Sequence, residues 1–280
     1  MSRKKKNRPE PETLGLPRVG IDSHAHVDSE HFAEPGEIGA VLDKAAAAGV
    51  ARIGNVFLGP DAYDRDRKLF DDRPELFFLL AVHPNETGGL TDADMARMEA
   101  RFRSDPRLMA VGETGLDYYW KDVERGVQIA AFLKHLELAR GLGLPPVIHS
   151  RDSDGDAVRI LEDAGFRGEP VLWHCFGGDW TLARRILDNG WHLSIPGPVS
   201  YPANAALREA VACIPLDRLL LETDCPYLTP EPWRGKKNQP ALLPFTARTV
   251  AEAKGLETEE VWQATADNAA AFFGLEPLDA

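Results

Sequence analysis

Seven side chains of the types that hold divalent cations, His24, His26, His83, Glu113, His149, His174 and Asp224, each close a short run dominated by apolar residues. His24 and His26 stand at i and i+2, so on an extended segment both imidazoles point the same way and can reach one ion. Glu113 follows Leu108–Val111 and lies between Gly112 and Gly115. A carboxylate in such a setting is costly unless it is paired or bound to a cation, and the glycines let another backbone or a ligand come close. His149 in PVIHSRD and His174 in VLWHCF end apolar runs, and three leucines carry the chain to Asp224 in LLLETDCP. Singly, each residue has an ordinary reading as a hydrogen-bonded core histidine, a carboxylate paired to an arginine, or a helix cap. Six such residues at equivalent ends of five strands are not well explained one by one, and together they read as a metal site. His31, His135 and His192 lack this placement.

Elements must bring these residues to one point. Strand-like runs at Val19–Val27, Arg52–Leu58, Leu76–His83, Leu108–Glu113, Val147–His149, Val171–His174, His192–Ile195 and Arg218–Thr223 alternate with helical patterns. The helices are expected near Ile38–Ala48, Asp61–Asp71, Thr91–Phe102, Val123–Leu142, Asp156–Ala164, Thr181–Asn189, Leu207–Cys213 and Pro244–Lys254, with a last one at Glu259–Phe273. Thr91 with Asp94 three residues on resembles a capping box, and Gly49, Gly165, Gly190 and Gly274 close helices. Eight strand–helix rounds predict an α/β protein, a single (β/α)8 TIM barrel over residues 18–276. The seven residues then sit at the carboxyl ends of strands, the face where such barrels do their chemistry. A doubly wound dinucleotide fold fits the same alternation, but no G-x-G-x-x-G follows an early strand.

The chain has 280 residues, 44% hydrophobic and 27% charged, which excludes a disordered, collagenous or coiled-coil protein. Its longest clean apolar run, Leu76–Val82, is far short of a membrane helix, so no membrane association is expected. Cys175, Cys213 and Cys225 form no C-x-x-C pair, and the opening MSRKKKNRPE has no apolar stretch after its basic run, which together suggest reduced thiols and a cytoplasmic location. Formal charge is −12; the first eight residues hold five bases and no acid, so the remainder carries 27 − 44 = −17. Residues 1–17 are expected to be a disordered, basic and Pro-rich tail. An acidic body repels phosphate backbones, so binding of nucleic acid would need a local positive centre.

The segments DSHAHV, VGETGLDYY, VIHSRD, WHCF and LLLETDCPYL resemble the TatD family of metal-dependent hydrolases, in the amidohydrolase superfamily, from about Gly20 to Gly274. The resemblance implies a barrel with two divalent ions and a DNase-like phosphodiesterase activity, typically on single-stranded ends. It implies that His24, His26 and Asp224 hold one ion and His149 and His174 the other, with Glu113 bridging and His83 and Arg151 facing the substrate phosphate. Asn85, Gly177, Cys225 and Gln239 depart from the usual family residues. All four border the mouth and bear on substrate preference.

Physical chemistry agrees with that assignment. Two carboxylates, two divalent ions and a bridging hydroxide leave about +1 at the centre, the local positive spot an acidic body needs. Such ions polarise a phosphoryl oxygen and lower the pKa of water from 15.7 toward about 7, with Asp224 as proton acceptor. Imidazole and carboxylate ligands suit Zn, Mn, Co or Fe better than Ca or Mg. Tyr118, Tyr119 and Trp120 could stack on bases, Arg151 could clamp phosphate, and Arg234, Lys236 and Lys237 add cations nearby. The leading expectation is a nuclease cleaving phosphodiesters at single-stranded nucleic-acid ends through a metal-activated hydroxide, with no organic cofactor. An amidohydrolase of a small amide, lactone or phosphotriester is the alternative. The complete ligand set weighs against a non-catalytic binding barrel.

Overall fold

The computed structural model describes residues 8–34 and 36–276. Eight parallel strands pair in sequence order, each with the next. They are β1 (Gly20–Ala25), β2 (Val50–Leu58), β3 (Leu76–Ala81), β4 (Leu108–Asp117), β5 (Pro146–Arg151), β6 (Leu172–Trp173), β7 (His192–Ile195) and β8 (Leu219–Leu221). Between them run α1 (Glu37–Ala47), α2 (Pro60–Asp66), α3 (Asp92–Ser104), α4 (Arg125–Leu142), α5 (Asp154–Asp163), α6 (Trp180–Asp188) and α7 (Ala205–Cys213); α8 (Leu243–Lys254) and α9 (Thr258–Phe273) follow β8. The result is a TIM barrel. The Thr91–Asp94 capping box forms, with both reciprocal bonds, at the start of α3.

The barrel is apolar below and polar above. Ile21, Val56, Phe77, Leu79, Ala110, Val147, Leu172 and Leu220, drawn from seven strands, form one buried cluster with Phe272 and Phe273 at the end of α9. The Phe273 ring lies 4.7 Å from that of Phe77 and helps plug the barrel floor. A larger cluster fills the space between strands and helices. No helix among the described residues is long and apolar enough to cross a membrane. All three cysteines are free.

Three features differ from the sequence expectation. First, β4 does not end at Glu113 but continues to Asp117, pairing Gly115 with His149 and Asp117 with Arg151 after a register shift between Val111 and Thr114. Glu113 lies at that irregularity, and His24 at a similar one between Asp22 and Ala25 on β1; such bulges re-aim a side chain next to a site. Glycine makes the extension possible, since a Cβ on Gly115 (φ 144°) would stand 2.1 Å from the carbonyl oxygen of His149. Second, β6 and β8 are shorter than their apolar runs, and side chains accept the N–H groups of Cys175 and Thr223 beyond them, Glu222 at 2.7 Å and Asp22 at 2.9 Å. Third, of the tail expected to be disordered through Pro17, residues 1–7 lie outside the described residues, but residues 8–17 pack on the barrel. Trp233 and Trp262 donate their indole N–H groups to the carbonyls of Pro9 and Pro17, both at 2.9 Å.

The seam between β8 and β1 is stitched mostly beyond the strands. Asp224 N–H donates to His24 O (2.9 Å), and His26 N–H to Cys225 O (2.8 Å). The buried Asp22 carboxylate accepts from Thr223 N–H at 2.9 Å and from the Thr223 hydroxyl at 2.5 Å. The barrel therefore closes at the residues that the sequence marks for chemistry.

His135, buried in α4, ties the helix layer to β3. Val82 N–H donates to its Nε2 at 3.1 Å, so Nδ1 carries the ring proton and donates to Ala131 O at 2.8 Å. Burial pushes its pKa down to about 4 from 6.5. The unfolded imidazole therefore takes up a proton before the folded one does. Its contribution to stability is whole above about pH 6.5 and drains away as pH falls toward 4. His135→Leu, which strands the Val82 N–H, should cost about 1–3 kcal/mol at pH 7 and flatten the loss of stability between pH 6.5 and 4. Urea unfolding across that window measures both; parallel pH profiles for the two proteins would refute the assignment.

Candidate metal centre

Glu113 is the hub of the site. Its Oε1 stands 3.4 Å from His26 Nε2 and 3.7 Å from His24 Nε2. Its Oε2 stands 3.1 Å from His149 Nδ1 and 2.9 Å from His174 Nε2. One carboxylate thus divides its two oxygens between two histidine pairs. Asp224 Oδ1 completes the first group, 3.5 Å from His26 Nε2 and 3.9 Å from His24 Nε2. Across the divide, the rings of His24 and His174 stack at 3.9 Å.

These distances fit cations. Donors around a tetrahedral ion with bonds of about 2.0–2.2 Å are separated by roughly 3.3–3.6 Å, close to the 3.4–3.9 Å spacing of His24, His26, Glu113 and Asp224. The three donors of the second group leave room for a further ligand. Both ring nitrogens of His24 are buried without a hydrogen-bond partner, an expensive condition unless something binds the ring. Nitrogen and carboxylate donors suit Zn, Mn, Co or Fe.

The charges of the site answer to one another. Burial would raise the Glu113 carboxyl, but His174, His149 and His24 outweigh it and hold the group well below its usual range. Burial, reinforced by the stacked His174, pushes His24 down to about 4 and leaves it a neutral imidazole. For His26, burial acts downward but Asp224 and Glu113 prevail and lift it well above 6.5; for His174, Glu222 and Glu113 do the same.

Comparison with known proteins bears directly on this cluster. A family model described as TatD related DNase matches residues 21–274. This chain belongs to the TatD family. The TatD protein of Mycobacterium tuberculosis, named an uncharacterized metal-dependent hydrolase, is 38% identical over 260 residues, covering 91% of this chain and 98% of that one. YcfH of Escherichia coli K12, named likewise, is 36% identical over 257 residues, covering 91% and 96%. The crystal structure of YjjV, a TatD homolog from Escherichia coli K12, matches with a TM-score of 0.86 at 27% identity, covering 92% and 99%. This TatD-family chain is accordingly a metal-dependent hydrolase with a His, Glu and Asp cluster able to hold metal.

The other residues singled out in the sequence divide between the mouth and elsewhere. His83 sits beside the cluster, its ring 4.5 Å from that of His149; burial pushes its pKa down to about 4. Arg151 lays its guanidinium 3.8 Å over the ring of Tyr119. Tyr118, expected to contact substrate, is buried; its hydroxyl donates to Asp156 at 2.9 Å and Arg125 covers its ring. Because β4 runs on past Glu113, the exposed rings are those of Tyr119 and Trp120. Lys236 is exposed, but Lys237 is drawn away, donating to His31 O at 2.7 Å and pairing with Glu37.

Three buried carboxylates behind the cluster escaped the sequence reading. Glu222 accepts from Cys175 N–H at 2.7 Å and from the Ser194 hydroxyl, and lies 3.4 Å from His174 Nδ1. Asp117 Oδ2 lies 3.2 Å from His149 Nε2. Burial pushes Asp22 up to about 8 against the bonds from Thr223 and His24. A signal existed: Asp22 precedes His24 by two residues and Glu222 precedes Asp224 by two, the spacing of one strand face. Carboxylates so placed orient histidine ligands and raise their basicity. With Glu113 shared between both groups, Glu113→Ala should strip metal from the purified protein and abolish turnover. Elemental analysis of parent and variant checks it, and full metal content with normal turnover in the variant would exclude a bridging role.

Proposed function

We propose that this TatD-family hydrolase cleaves phosphodiester bonds at the ends of single-stranded nucleic acid, with two divalent ions held by His24, His26, Glu113 and Asp224 on one side and Glu113, His149 and His174 on the other. The observation that carries the reading is the division of the Glu113 oxygens between two histidine pairs, within 3.7 Å of all four imidazoles. Ions bound there would supply charge for a phosphoryl oxygen and a lowered pKa for water. Asp224 is the proton acceptor: its carboxylate is the ligand group most open to the mouth besides His149, with 16% of the side chain exposed. Its backbone at φ 53° is a left-handed conformation that non-glycine residues seldom adopt, held by the bond from its own N–H to His24 O. Asp117 takes the Nε2 side of His149 and keeps the opposite nitrogen facing Glu113. Arg151, two residues after His149, supplies a fork for phosphate. The relation of the matching family to a DNase supports phosphodiesters over carbon esters.

Asp224→Asn keeps the shape but cannot take the proton, so turnover should fall by about 10²-fold or more while much of the metal remains. A near-parental rate at matched metal occupancy would remove Asp224 from that role. The substrate class is tested by incubating metal-loaded protein with end-labelled single strands of DNA and RNA beside a panel of lactones, amides and phosphotriesters. Shortening of strands from their ends is expected. Turnover of a small ester or amide with every strand intact would make the small-molecule hydrolase the better account.

A further inference from the structure

The four aromatic side chains that the described residues leave strongly exposed are Tyr119 at 50%, Trp120 at 51%, Trp180 at 39% and Tyr227 at 54%. All four lie in the segments that follow β4, β6 and β8, on the side of the barrel where the metal cluster opens. Large rings exposed at random would be spread over both ends and the helix layer.

Tyr119 and Trp120 are also fixed in relation to the cluster. Their backbone N–H groups both donate to Asp117 Oδ1, at 3.0 and 3.2 Å. The other oxygen of the same carboxylate lies 3.2 Å from His149 Nε2 and accepts from Asn85 Nδ2 at 3.3 Å. Gln128 of α4 grips the same residue from behind, accepting from Asp117 N–H at 2.8 Å and donating to Asp117 O at 2.9 Å. The two rings meet edge to face with centroids 5.1 Å apart, and the Arg151 guanidinium lies over the Tyr119 ring.

We propose that Tyr119 and Trp120, with Arg151, form a stacking platform for the unpaired bases at the end of a strand whose phosphate enters the metal cluster. The inference rests on the phosphodiesterase reading above and adds the part of the substrate that the platform recognises. Every nucleobase offers a flat face, so such a platform grips a strand without reading its sequence. It also suits this protein's charge: a chain at −12 cannot follow a long phosphate backbone, and stacking supplies affinity that does not depend on cations. A duplex end keeps its bases stacked on each other, so the platform favours single strands.

The test uses metal-loaded protein and two short DNA strands with phosphorothioate linkages that resist cleavage. One carries all its bases, and the other is abasic at its two terminal positions. The parent should bind the base-bearing strand tighter by about 5- to 150-fold. Tyr119→Ala and Trp120→Ala should bring that ratio toward one, and Trp120→Phe should keep most of it, since a phenyl ring still stacks. Because both side chains are exposed, the variants should melt with the parent. Equal binding of the two strands by the parent, or an unchanged ratio in both alanine variants, would overturn the platform. Cleavage of unmodified strands on the same preparations separates the two claims: strands cut but an unchanged ratio sinks the platform alone, whereas small esters hydrolysed with all strands intact sinks the strand-end reading with it.

Discussion

Burying Glu113 strips its carboxylate of water and leaves it surrounded by the imidazoles of His24, His26, His149 and His174. An unpaired charge there would be prohibitive. The surrounding architecture serves that requirement. Ladder irregularities beside Glu113 and His24 aim both side chains inward, glycines at 112 and 115 allow β4 to press against β5, and the β8–β1 seam is joined at His24, His26 and Asp224 themselves. Outside them, Asp117 and Glu222 face the far nitrogens of His149 and His174. Rigidity at the barrel mouth is thus a condition of keeping charge buried, and the same rigidity preorganises the donors for cations.

The acidic surface and the mouth are organised on different terms. Many arginines on the helices pair with nearby carboxylates, as Arg97 does with Asp61 and Asp64, and Arg103 with Glu99. Such exposed pairs contribute little to stability. At the mouth, Arg151 and Arg234 rest on the rings of Tyr119 and Tyr201, contacts that hold a guanidinium in place while leaving its charge for an anion.

Much of this was legible in the sequence because the governing signals are local. Apolar runs ending in His, Glu or Asp marked strands and their polar ends, and β7 matches its expected limits at His192–Ile195. What escaped depends on partners far along the chain. Asp22 acts through Thr223, 201 residues away, and Lys237 is diverted to Glu37, 200 residues away. Whether Tyr118 or Tyr119 faces solvent turns on how far β4 runs beside β5, and that follows from the close approach at Gly115 rather than from periodicity. Trp233 and Trp262 fasten residues 8–17 across more than 200 positions, a contact that the composition of that segment does not betray.

The central claim is that Glu113 holds two cations, one through each oxygen. Crystals of the protein grown or soaked with manganese and measured for anomalous scattering test it most directly. Two peaks are expected, one among His24, His26 and Asp224 and one between His149 and His174, with the Glu113 carboxylate between them. A single peak, or density confined to His83, Asp117 and His149 with Glu113 bound to no ion, would contradict the account.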